Sequence, residues 1–121
     1  MKTLQNIFSQ PKKTFKVTKN NSNNHKTLLT NVLYRQMENY VYELIKRNSN
    51  IVEEVPKISK LKLLKNAYLN DKLSLNTEVL NINNSELNIL LIVKRENKST
   101  ESIICKAIFK LQLNEPFSKA S

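Results

Sequence analysis

Residues 25 to 47, HKTLLTNVLYRQMENYVYELIKR, are the longest stretch of this chain that carries apolar residues at helical spacing without a proline. Leu29, Val32, Leu33, Met37, Tyr40 and Leu44 recur at i, i+3 and i+4, which predicts an amphipathic helix buried along one stripe. At about 100° per residue, Gln36 falls inside that stripe and Glu38 on the opposite face. Asn24 or Thr27 is placed to cap the helix, and residues 48–50 to end it.

Everything after this helix reads as strand. Leu73, Leu75, Thr77 and Val79 alternate within residues 72–83, and the phase then breaks at Leu80 and Ile82, which predicts a bulge. Leu87, Ile89, Leu91 and Val93 alternate within 86–95. Ile103, Cys105, Ala107, Phe109, Leu111 and Leu113 alternate within 101–113. Residues 58–65 form a further strand, 67–71 a turn or crossover, and 83–85 and 96–100 turns. Before the helix, residues 4–8 suggest a helical turn, 14–18 a short strand and 20–24 a polar loop. Three long consecutive strands make a meander that must bury one face, and the helix is the apolar partner long enough to cover it. The expected fold is α+β, an antiparallel sheet wrapped around one long central helix, in a single domain spanning 1–121. The last strands are apolar on both faces over part of their length, as a second subunit packing on the sheet would require.

The chain of 121 residues contains no glycine. That excludes a phosphate-binding P-loop, a dinucleotide fingerprint and a nucleophile elbow, each of which needs glycine for close backbone approach. It also hands positive-φ positions to asparagine. The formal net charge is +10, with no acidic residue before residue 30. Such a surface suits an anionic partner: an acidic protein, a phosphate group of coenzyme A type, or nucleic acid. No Arg-rich helix, zinc pattern or aromatic–basic interleaving supports nucleic acid. No apolar run is long enough to cross a bilayer, and the first residues lack the pattern of a signal peptide. The single cysteine, Cys105, is expected in the core and favours a reducing, cytoplasmic setting. No cofactor and no metal is expected, since one histidine, His25, has no cysteine or carboxylate cluster beside it. Tyr34, Tyr40 and Tyr42 read as packing residues.

Several strings resemble the hotdog fold, and more narrowly the (3R)-hydroxyacyl-acyl-carrier-protein dehydratases of fatty-acid and polyene synthesis. In that family a His-Phe-Pro-Gly-type loop leads into Val-Leu-x-x-Glu on the central helix. Here SNNHKTLLTN from Ser22 to Asn31 leads into Val32-Leu33-Tyr34-Arg35-Gln36. The segment from Leu63 to Leu73 is similar to the family's later Pro-Gly-Asp-x-Leu string, Ile104-Cys105-Lys106-Ala107 to its closing strand, and IFSQPKKTF to its opening. The resemblance places Ser22 where the family has its general base and Gln36 where it has its acidic partner. Neither side chain exchanges protons near neutral pH. His25 stands three residues from the expected base and is the candidate replacement. Asn24, Asn31 and Gln36 are the candidate substrate contacts. The resemblance therefore implies a catalytically impaired relative that binds an acyl group or carrier protein, or serves as a non-catalytic subunit. Its partners would be acyl carrier protein or an acyl-CoA thioester, in a homodimer or in a heterodimer with an active homologue. The alternative within the fold is the acyl-CoA thioesterase branch. Aligning that branch's helix entry on Tyr34 puts Asn24 at its catalytic Asp and Glu38 one residue from its helix carboxylate. A third reading is an interaction module without a thioester ligand.

Overall fold

The computed structural model describes residues 13–46, 57–82, 86–96 and 102–112. The expected features at 4–8, 48–50, 83–85 and 97–100, and Leu113, lie outside them. The elements in chain order are β1 (Lys13–Lys16), a 3-10 turn (Lys19–Asn21), α1 (Thr30–Lys46), β2 (Lys57–Leu63), β3 (Lys72–Ile82), β4 (Glu86–Glu96) and β5 (Ser102–Gln112). The strands form one sheet in the order β1-β3-β4-β5-β2, antiparallel at every pairing. The meander β3-β4-β5 is the expected one. β2 precedes β3 in sequence yet lies at the far edge beside β5, so residues 64–71 carry the chain across the sheet.

Period-two burial builds this sheet. On β4, Leu87, Ile89, Leu91 and Val93 are fully buried and their neighbours half-buried. Leu73 and Leu75 of β3 and Cys105, Ala107, Phe109 and Leu111 of β5 share that inner face by register. α1 lies against it, with Met37 Sδ 4.0 Å from Cys105 Sγ. Leu33, Met37, Val41 and Leu44 join the strand residues in one core cluster. Each such side chain contributes roughly 1.5–3 kcal/mol through burial.

Three bulges shape the sheet. Register shifts at Ser59 on β2, between Ile58 and Lys60, and at Leu80 on β3, as the phase break predicts. A third shift, unmarked in the alternation, falls at Ile104 on β5. It buries Ile104 together with Cys105 and turns Ile103 to the outer face opposite Lys94, correcting its expected place on the inner face. The Ile104 carbonyl accepts the N–H groups of Leu64 (2.8 Å) and Lys65 (3.1 Å), which satisfies the backbone where β2 ends.

α1 begins at Thr30, five residues after the start of the apolar stretch at His25. The backbone of Leu28 and Leu29 is used elsewhere: their N–H groups donate to Ala67 and Asn21 carbonyls. Neither Asn24 nor Thr27 caps the helix. Its first carbonyl acceptor is Leu29, which takes the N–H groups of Val32 and Leu33. The buried stripe is Leu33, Met37, Tyr40, Val41, Leu44 and Ile45. Val41 and Ile45 rotate it relative to the expected one, and Val32 is only half-buried. Tyr42 is exposed rather than packed, with Lys46 Nζ 4.7 Å from its ring centroid.

Candidate functional site

The polar candidates gather where the helix starts. Residues 17–29 and 67–71 are laced together by backbone bonds: Val17 to Asp71, Asn70 to Val17, Leu28 to Ala67 and Leu69 to Lys26, all at 2.8–2.9 Å. Within the first loop, Asn23 closes a tight turn. Its Oδ1 accepts the N–H groups of His25 (2.8 Å) and Thr27 (3.1 Å), and its backbone N–H donates to the Thr27 carbonyl. Lys26 takes φ 63 to complete the turn, and Asn70 takes φ 75 in the facing loop. Asparagine thus fills one positive-φ position as expected, while lysine fills the other. Asp71 ties the second loop to the sheet. Its Oδ2 accepts the Tyr68 N–H at 2.8 Å and stands 3.4 Å from Arg95 Nη1 on β4.

This arrangement redistributes the sequence candidates. Ser22 is half-buried, and its hydroxyl donates to the Thr18 carbonyl at 2.7 Å, so it acts as a loop fastener. Asn24 and His25 are exposed at the tip of the turn. Among the described residues no group fixes the His25 imidazole, and a base without a positioning partner has no defined tautomer or direction. Asn23, missed among the candidates, organises the loop. Its signal was an Asn within a polar loop, a side chain that accepts the backbone N–H two residues on in an Asx turn, here that of His25.

On α1 the rotated stripe changes the reading of two residues. Gln36 and Glu38 each lie about 100° from Met37, on opposite sides. Both are half-buried, so Gln36 borders the stripe instead of lying inside it, and Glu38 borders it instead of facing solvent. Asn31 lies within about 20° of Glu38 and on the other flank from Gln36. Asn31, Tyr34 and Glu38, at i, i+3 and i+7, therefore form one row that starts at the helix N-terminus. The first turn holds no acidic residue. The N–H groups of Thr30 and Asn31 have no backbone acceptor among the described residues. That end carries the positive pole of the helix and suits a carbonyl or an anion. Glu43, the other carboxylate on α1, is exposed. Cys105 is a core thiol: burial pushes its pKa from 9.0 up to about 11. Among the described residues no three His, Cys, Asp or Glu side chains are grouped to hold a metal ion. Nor is any helix among them long and apolar enough to cross a membrane.

No protein-family model and no curated protein sequence matches the chain. Solved structures do. An acyl-CoA hydrolase from Staphylococcus aureus, determined with butyryl coenzyme A, coenzyme A and coenzyme A disulfide, superposes with a TM-score of 0.74 at 14% identity. The match covers 90% of this chain and 68% of that one. A hypothetical thioesterase from Streptococcus pneumoniae with coenzyme A gives 0.67 at 17% identity, covering 87% and 81%. A hexameric thioesterase from Yersinia pestis gives 0.67 at 14%, covering 90% and 88%. The fold is hotdog, α+β, with the sheet laid over α1 as the sequence resemblance implied. At 14–17% identity this likeness to thioesterases and an acyl-CoA hydrolase shows the fold.

Proposed function

We infer that this chain binds acyl-CoA thioesters at the N-terminal end of α1 and hydrolyses them. The observation that carries the reading is the row Asn31, Tyr34 and Glu38 on one helix flank, beginning at an N-terminus free of acidic residues. The likeness to coenzyme A-bound hydrolases supports the substrate class. In this reading the thioester carbonyl docks at the Thr30 and Asn31 N–H groups, which stabilise the negative charge that develops on its oxygen. Glu38 lies two helical turns further on, about 10 Å along the axis. Helical side chains lean toward the N-terminus, which shortens that gap to one a water molecule can occupy. Glu38 takes a proton from this water as it attacks the carbonyl carbon. The C–S bond breaks, Glu38 returns its proton to the departing sulfur, and coenzyme A leaves as the thiol while the acyl group leaves as the carboxylic acid. Gln36, on the other flank, can contact substrate but cannot exchange a proton. The hexameric neighbour supports an assembly of identical chains, for which a homodimer is the simplest form.

Release of free thiol from an acyl-CoA series tests this, with acyl-carrier-protein and 3-hydroxyacyl thioesters as parallel substrates. Hydrolysis is expected, and Glu38→Gln should lower kcat/KM by about a hundredfold or more. His25→Ala should leave the rate unchanged. Binding without thiol release would overturn the hydrolytic step and return the chain to the role of an acyl binder. Dehydration of the 3-hydroxyacyl thioester would restore the dehydratase reading.

A further inference from the structure

The face of the sheet turned away from α1 carries its own pattern, independent of the site proposed above. In the β2–β5 register, Lys57 stands opposite Lys110 and Lys62 opposite Lys106, while Lys60 faces Ile108. Directly paired residues share a face, so five exposed lysines crowd the outer side of two strands. None of the five has an acidic partner among the described residues. Like charges placed directly opposite, about 5 Å apart at Cβ, oppose the pairing that holds them. Between them runs an open groove of about 510 Å³. Leu90 and Ile108 are its half-buried apolar residues, and Lys60, Lys62 and Lys106 line it with them.

We propose that this groove docks an acidic amphipathic helix of a partner protein. Charge and shape select that occupant. Lys60 and Lys62 are two residues apart on one strand, about 6.8 Å, and Lys106 is one strand away. Carboxylates four residues apart on a helix are about 6 Å apart and match that spacing, with an apolar side chain between them to enter the groove. A second copy of this face would set lysine against lysine, with Glu78, Glu86 and Glu96 on the other described strands in compensation and Glu96 already paired with Lys72. A flat membrane surface cannot reach a recessed apolar residue flanked by lysines. Nucleic acid would meet no aromatic side chain to stack on.

The test uses the full chain and a labelled, lactam-stapled helical peptide with leucines on one face flanked by glutamates four residues apart. Fluorescence anisotropy compares it with the same peptide carrying Lys for Glu, with phosphatidylserine vesicles, and with single-stranded oligothymidine. The acidic peptide should bind best, more weakly as salt rises. The double variant K60E/K62E should weaken it by about tenfold or more, and Ile108→Asn should weaken it as well. Folding is followed independently. Lys62→Glu places a carboxylate opposite Lys106, so its melting temperature should rise while peptide affinity falls, a pairing of effects that simple misfolding does not give. The proposal is overturned if the acidic peptide does not bind or binds the variants equally. It is overturned too if vesicles or oligothymidine bind more tightly, or if this face proves to mediate self-association that K60E/K62E abolishes.

Discussion

A chain without glycine has to find other means of making tight turns, and the loop before α1 shows what those means cost. Asn23 holds the turn through one side-chain oxygen that takes two N–H groups. Asn23→Ala should therefore destabilise the protein by about 1–2 kcal/mol in urea denaturation, since two backbone donors lose their acceptor. Asn24→Ala, one residue on and exposed, should stay within about 0.5 kcal/mol. Lys26 sits at φ 63, where a Cβ is unfavourable by about 1–2 kcal/mol. Lys26→Gly relieves that strain but adds freedom to the unfolded chain, so the net gain should be about 0.5–1 kcal/mol. Asn70→Gly should be nearly neutral, because Asn tolerates the left-handed region. Cys105 makes a pH-dependent contribution. Its thiol ionises near 9.0 when unfolded and at about 11 when folded. Between those values the unfolded chain gives up its proton while the native state keeps it. Stability from this group is thus complete below pH 9 and lost as pH rises to about 11. A urea midpoint that falls across this window in the parent protein, and falls less in Cys105→Ala, would confirm it.

Among the elements, α1 was legible in the sequence and its orientation was not. Periodicity located the helix because six apolar residues repeat at the right interval. It misjudged the stripe because Val32 and Val41 look alike in sequence, and only docking against the sheet decides which is covered. That difference moved Glu38 from the solvent side to a flank of the core and redrew the candidate site. The bulges divide in the same way. Leu80 broke an alternation visibly, whereas Ile103, Ile104 and Cys105 are all apolar, so the shift at Ile104 left no trace in the pattern. The crossing that sets β2 beside β5 was also hidden, because strand order depends on long-range pairing that no local signal encodes. Docking of α1 can be probed where it touches β5. Met37→Ala should cost about 2–5 kcal/mol, the usual range for emptying a fully buried position. Met37→Leu, which preserves volume, should cost less than about 1.5 kcal/mol. Equal losses in the two variants would mean that the sulfur contact with Cys105, not the packing, holds the helix.

At the scale of the whole molecule the governing quantity is charge. A net charge of +10 on 121 residues makes the folded state repel itself, because folding brings lysines closer than the expanded chain would hold them. The outer face concentrates this effect, since its two opposed lysine pairs are fixed by register and cannot move apart without breaking the β2–β5 ladder. Added salt should therefore stabilise the protein. The screening length falls from about 30 Å at 0.01 M to about 3 Å at 1 M, shorter than the separation of the paired lysines. The melting temperature should rise by several degrees as sodium chloride increases through this range, the shift expected of a small domain for about 1 kcal/mol. Because salt also affects apolar burial, K60E/K62E supplies the control. It removes two of the crowded positive charges while leaving the core untouched, so its melting temperature should start higher and rise less. An equal rise in both proteins would assign the salt effect to the core and deny the outer face its electrostatic strain.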